Sequence, residues 1–211
     1  MNRMYRNTVL FKWRKETTSQ QKLEMRQRTA YLSFACPTVV ALDFGENIGQ
    51  DPTNFHFAVI FDFRDEEGWL AYDESEAHLQ AASINAAVCQ GNLTAKIRRP
   101  YNGPPSKRGM IRHVAMYRWQ TGVSDELKAA VWEDLNRLTT SGPALQALRY
   151  AHGTRITNRQ ATDFDWAVEA HFDRVGAFDA FAGHPAYLRL QESIRRATVD
   201  EAKLQHVMLL G

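Results

Sequence analysis

Residues 6–13 (RNTVLFKW) and 111–119 (IRHVAMYRW) are apolar and rich in β-prone side chains, so both read as strands. After the second, Ser124 stands as an N-cap with Asp125 and Glu126 behind it in the first turn. Leu127, Val131, Leu135 and Leu138 then recur at steps of four, four and three, which is one apolar stripe on a helix. After the first strand, Thr18 and Gln21 form a capping box. Leu23, Ala30, Tyr31 and Phe34 of the helix that follows are expected to face inward. A second strand is expected to end at Gly45 and again at Gly153. A third covers 55–63 and 164–172. In its second copy Phe164, Trp166, Val168, Ala170 and Phe172 point one way, and Asp165, Ala167, Glu169 and His171 the other. Helical regions near 65–88 and 173–195 and last strands near 92–98 and 202–209 complete the pattern.

The pattern occurs twice in the same order. RNTVLFKW at 6–13 answers RHVAMYRW at 112–119, with Trp13 against Trp119. LDFGENI (42–48) answers YAHGTRI (150–156), FHFAVIFDF (55–63) answers FDWAVEAHF (164–172), and EAHL (76–79) answers PAYL (185–188). Ordered blocks at a slowly drifting offset mark an internal duplication. Each copy reads β-α-β-β-α-β, the split ferredoxin-like pattern, with helices on one sheet face and the other face in need of cover. The fold class expected is α+β: two ferredoxin-like repeats closing into one intrachain α/β barrel, as a homodimer of a single repeat would. The repeats are placed at 1–99 and 110–211, joined by a Pro/Gly-rich basic linker at 100–109.

Composition narrows this further. Hydrophobic content of 44% and charge of 24% are those of a globular chain, and a net charge of +2 offers no field for nucleic acid or membrane. No apolar run is long enough to span a bilayer, and MNRMYRNTVLFKWRK does not read as a signal peptide, so a cytoplasmic location is expected. Cys36 and Cys89 carry neither a disulfide framework nor a zinc site. The basic residues Lys96, Arg98, Arg99, Lys107 and Arg108 read as a solvated linker. No dinucleotide fingerprint, phosphate loop or nucleophile elbow is present.

NTVLFKW, HVAMYRW, the Gly-x-x-Ile turn and FAGHPAYLRL (181–190) together resemble the stress-responsive dimeric α/β-barrel family over nearly the whole chain, twice. That family includes plant stress proteins and cofactor-free enzymes of the olivetolic acid cyclase type. The resemblance implies a barrel but leaves the chemistry to the site.

The sharpest candidates are Tyr72 and His78 in AYDESEAH. Six residues apart, they would not meet on an unbroken helix. Gly183 and Pro185 mark a helix break in the second repeat, and the same corner in the first would let the two converge. The resemblance places a Tyr and a His with acid–base roles at these two positions; in the second repeat they are Phe181 and Tyr187. A histidine can take a proton next to a carbonyl near neutral pH, and a tyrosine hydroxyl can donate to the developing enolate oxygen. The cyclase's first-strand histidine falls on Asn7 and His113, and its third-strand histidine on Phe57 and Trp166, so neither half carries the full set. His56 points to the opposite face from Phe57.

The expected catalytic residues are therefore Tyr72, His78 and Asn7, with Leu23, Phe34, Phe57, Val59 and His113 as substrate-binding residues. Asp165, Glu169 and His171 are read as a hydrogen-bonded network between the sheets rather than metal ligands; His152 is read as a turn residue and His184 as a cap. No metal and no organic cofactor are expected. The expected partner is a hydrophobic small molecule, with no nucleic acid and no membrane; a homodimer beyond the intrachain pseudo-dimer is left open. Two functions compete: a cofactor-independent acid–base enzyme on a hydrophobic carbonyl compound, and a non-catalytic stress or ligand-binding barrel.

Overall fold

The computed structural model describes residues 3–100, 108–140, 149–155 and 164–207. The first repeat runs β1 (Arg3–Trp13), α1 (Ser19–Ala35), β2 (Val39–Glu46), β3 (Phe57–Phe63), α2 (Glu66–Asp73), α3 (Glu76–Val88) and β4 (Cys89–Pro100). The second runs β5 (Ile111–Trp119), α4 (Asp125–Thr140), β6 (Arg149–Arg155), β7 (Trp166–Phe172), α5 (Val175–Ala182), α6 (Pro185–Ala197) and β8 (Thr198–Val207). The linker expected at 100–109 lies, for residues 101–107, outside the described residues.

The strands form one eight-stranded sheet in the order β2-β3-β1-β4-β6-β7-β5-β8. Ladders within each repeat are antiparallel, and the repeats join where Ile97 pairs with Arg155 and Arg98 with Thr154. At the far edges β2 lies alongside β8. There the segment before β3 reaches across, the Phe55 amide donating to the Lys203 carbonyl at 2.9 Å. The curl this requires brings the two inner faces together.

Strands β1, β3, β5 and β7 therefore each serve two cores. On the helix side of the first repeat Phe57, Val59 and Phe61 pack with Met25, Leu32, Trp69 and Tyr72. On that side of the second, Trp166, Val168 and Phe172 pack with Val131, Leu135, Leu138 and Phe181. Leu10, Ala58, Ile60, Val114, Met116, Ala167 and Leu204 meet between the half-sheets, plugged by Phe55 and Phe164. Beyond that plug the interior is charged. Arg6 pairs with Asp62 of its own repeat and with Glu169 of the other. Arg112 donates from Nε to His171 Nε2 at 3.1 Å and sets Nη1 3.1 Å from Asp43 Oδ2 of the other repeat.

The caps form as their residue types dictate. Thr18 and Gln21 make the reciprocal capping box of α1, and Ser124 accepts from the Leu127 amide at the start of α4. The inward face of α1 differs from the expected one. Met25, Thr29 and Leu32 are buried, whereas Tyr31 is 56% and Phe34 85% exposed. The stripe stepping four and three through Met25 is the one the sheet selects, and a threonine within it disguises it. His152 lies within β6 and not in a turn; its side chain is outside the described residues.

Candidate functional site

The second helical region breaks in both repeats. In the first, α2 ends at Asp73 and Ser75 caps α3. The Ser75 hydroxyl donates to the Tyr72 carbonyl at 2.7 Å and accepts from the His78 amide at 3.2 Å, so one side chain fixes the corner. The corner turns Tyr72 and His78 toward each other, ring centroids 4.4 Å apart. Tyr72 also packs on Phe61 and Phe63. His78 Nδ1 lies 2.8 Å from the Asp73 carbonyl oxygen and 3.8 Å from its carboxylate. A carbonyl only accepts, so Nδ1 carries the hydrogen and the neutral ring keeps its acceptor lone pair on Nε2. Burial, with Cys36 and Asp73 nearby, pushes the Tyr72 hydroxyl well above its ordinary pKa and keeps it a donor.

The other expected site residues divide. Asn7 is buried on β1 beside Phe61 of β3, and its side-chain oxygen has no hydrogen-bond partner. Phe57 and Val59 belong to the buried cluster under the first repeat's helices. Leu23 and Phe34 do not. They are 39% and 85% exposed on the outer side of α1, because the helix turns Met25, Thr29 and Leu32 to the sheet instead. His113 lies in the other repeat, against Phe178 with centroids 4.9 Å apart. His56 accepts from the Trp13 amide and His184 from the Ala186 amide. Glu169 and His171 point into the barrel, while Asp165 accepts from the Trp119 amide. Among the described residues no group of three or more His, Cys, Asp or Glu is placed to hold a metal ion.

The second repeat reproduces the corner without its chemistry. Phe181 and Tyr187 pack with tilted rings, centroids 4.5 Å apart, as Tyr72 and His78 do at 4.4 Å. A cavity of about 390 Å³ opens beside them, lined by His113, Phe178, Tyr187, Gln191 and Lys203 and walled by residues 48–51 and Asn54 of the first repeat. In the first repeat Trp69 stacks on Tyr5 at 5.5 Å, where the second repeat has Phe178 and Ile111. Asp51 and Lys203 carried no signal, since only the fold brings a first-repeat loop to a second-repeat strand.

The model of the stress-responsive A/B barrel domain matches twice, over residues 6–95 and 111–202. The chain belongs to that family. Its two domains account for nearly every described element. No curated protein matches the sequence. Among solved structures this tandem A/B barrel is similar to an anthrone oxidase-like protein, at 10% identity and a TM-score of 0.68, covering 99% of this chain and 92% of that one. It is also similar to a candidate monooxygenase of Fusobacterium nucleatum, at 9% identity and a TM-score of 0.66, covering 98% and 93%. A third, a candidate monooxygenase of Lactobacillus acidophilus, aligns at 10% identity and a TM-score of 0.58, covering 99% and 94%. At such identities the likeness is one of fold. No helix among the described residues of this A/B barrel is long and apolar enough to cross a membrane.

Proposed function

We propose that this A/B barrel binds a hydrophobic carbonyl compound and acts on it as a cofactor-independent acid–base enzyme, by enolisation, cyclisation, isomerisation or lyase chemistry. His78 Nε2 takes the proton next to the carbonyl, and the Tyr72 hydroxyl donates to the oxyanion that develops. The buried Asn7 amide assists in orienting the substrate. The observation that carries the reading is the Nδ1 bond to the Asp73 carbonyl at 2.8 Å. It presents Nε2 as the base in a ring packed against Tyr72. Phe61 and Phe63 enclose the Tyr72 ring, while His78 stays partly open to solvent.

The second reading, a barrel that only holds a ligand, draws on the cavity's position in the repeat that lacks this pair. The experiment that separates them follows α-proton exchange of aryl ketones and β-diketones in deuterated water by NMR. The enzyme reading requires catalysed exchange that falls about 10²–10⁴-fold in His78→Ala, with the fold intact, and less in Tyr72→Phe. A wild-type chain that catalyses no exchange, or a His78→Ala variant as fast as wild type, hands the case to the binding reading.

A further inference from the structure

We propose that the end of β1, where Lys12, Lys22 and His56 gather around Trp13, binds a phosphoryl group, as free phosphate or as a small phosphate monoester. The place is at the other end of β3 from the Tyr72–His78 pair: Trp13 packs on Phe57, whereas Tyr72 packs on Phe61 and Phe63.

The duplication supplies the comparison that points to it. At the end of β1 the Trp13 amide donates to His56 Nδ1 at 2.9 Å, and at the end of β5 the Trp119 amide donates to Asp165 at 3.0 Å. A basic residue precedes each tryptophan and lies over the phenylalanine that plugs the barrel. Lys12 Nζ is 4.9 Å from the Phe55 ring centre, and the Arg118 guanidinium 5.7 Å from that of Phe164. The next helix sets a lysine one turn past its N-cap in both repeats, Lys22 after Thr18 and Lys128 after Ser124. The cationic frame is thus built twice.

Its acids are not. In the second repeat Arg118 pairs with Asp200 at 3.4 Å, Lys128 pairs with Asp125 at 3.4 Å, and the acceptor beneath Trp119 is itself a carboxylate. In the first repeat the strand register puts Gly91 in the place of Asp200, and the matching residues for Asp125 and Asp165 are Ser19 and His56. Glu46, opposite Phe57 in the ladder, is taken by Arg26. Among the described residues neither Lys12 nor Lys22 forms a salt bridge, so the carboxylates that close the frame in one repeat have no counterpart in the other.

His56 adds a neutral donor. Its Nδ1 accepts from the Trp13 amide, so the hydrogen sits on Nε2 and points away from that bond. Burial, with like charge from Lys12 and Lys22, lowers its pKa and keeps the ring neutral at pH 7; the same effect shows both ammonium groups within electrostatic reach of it. The lysine stems are half-buried, with their ammonium groups held over Phe55 and Trp13, which limits the freedom lost when a ligand arrives. Two ammonium groups and an N–H from three separate elements match a phosphate dianion in charge and in number of oxygens better than a carboxylate.

Inorganic phosphate, phenyl phosphate and acetate test this at pH 7 by calorimetry and by NMR of the Trp13 amide and the His56 ring. Phosphate should bind saturably with shifts at both groups, and acetate about tenfold more weakly. Phenyl phosphate tighter than phosphate assigns the site to a monoester, and equal affinity assigns it to the free ion; either supports the proposal. His56→Asp keeps an acceptor for the Trp13 amide, as Asp165 does for Trp119, and Ser19→Asp gives Lys22 the partner that Lys128 has. Both should hold the melting temperature and lower phosphate affinity about three- to tenfold, as should Lys12→Met. His78→Ala should leave phosphate affinity within about twofold, so this site and the acid–base reading fail separately. No saturable phosphate binding, acetate as tight as phosphate, or wild-type affinity in both Ser19→Asp and Lys12→Met overturns the proposal. Phosphate binding lost in His78→Ala but kept in His56→Asp overturns it too.

Discussion

Replacing Arg112 by methionine tests the charged interior of the barrel. Arg112 is 1% exposed, and its charge faces Asp43 of the other repeat and Glu169 of its own. Arg112 Nε donates to His171 Nε2, so that imidazole accepts and is neutral. Among the described residues the network brings Arg6 and Arg112 to Asp43, Asp62 and Glu169. Burial works against the Arg6 charge, but Asp62 and Glu169 outweigh it and hold its pKa above the usual range; at Arg112 burial wins and the pKa is lowered. Arg112→Met takes away the guanidinium that Asp43 and Glu169 face. Breaking a buried pair this way costs about 3–5 kcal/mol, a melting-temperature loss of about 6–20 °C for a chain of this size. Glu169→Gln keeps an oxygen that accepts from Arg6 and gives up only the charge. It should cost only the charge-assisted bond, about 1.5–3 kcal/mol. Calorimetry and urea melts at pH 7 measure both. A Glu169→Gln variant as damaged as Arg112→Met, or more so, refutes the reasoning.

Other outcomes follow from the same geometry. The His113 pKa is depressed to about 3 in the folded chain, so between there and about 6.5 the unfolded chain binds more protons, and stability falls as pH drops through that window. From pH 7 to 5 the loss should be about 2 kcal/mol in urea melts, and His113→Phe should remove it. The double variant Tyr5→Ile/Trp69→Phe breaks the stacked pair under the first repeat's helices and should cost about 1–3 kcal/mol per site, read in urea melts. Ser75→Ala frees the Tyr72–His78 corner and should lower exchange activity more than it lowers melting temperature. A chelator should leave the melting temperature unchanged, since the described residues offer no metal cluster.

The duplication, the α+β class, the caps at Thr18 and Ser124 and the corner between α2 and α3 were all legible in the residues, because each rests on local spacing. Steps of three and four, a cap three residues from its partner, and Gly-His-Pro at a helix break each declare themselves within one turn of chain. The inward face of α1 was not legible. Leu23, Tyr31 and Phe34 are as apolar as Met25 and Leu32, and only the sheet's position selects between two overlapping stripes. The strands show the same division. The apolar run in FAVIFDF announced a buried strand, but which side Asp62 would face, and that it would meet Arg6, depends on the ladder between β1 and β3. The candidate pair at Tyr72 and His78 could be named from the chain. That a loop of the first repeat walls the cavity of the second could not, since only the fold brings residues 48–51 to His113 and Lys203. Local spacing set the elements, the repeats and the chemical types on hand. Which of those types face a shared space came from packing, because burial and pairing between residues more than a hundred positions apart are set by how the two halves of one sheet curl onto each other, and no local pattern encodes that.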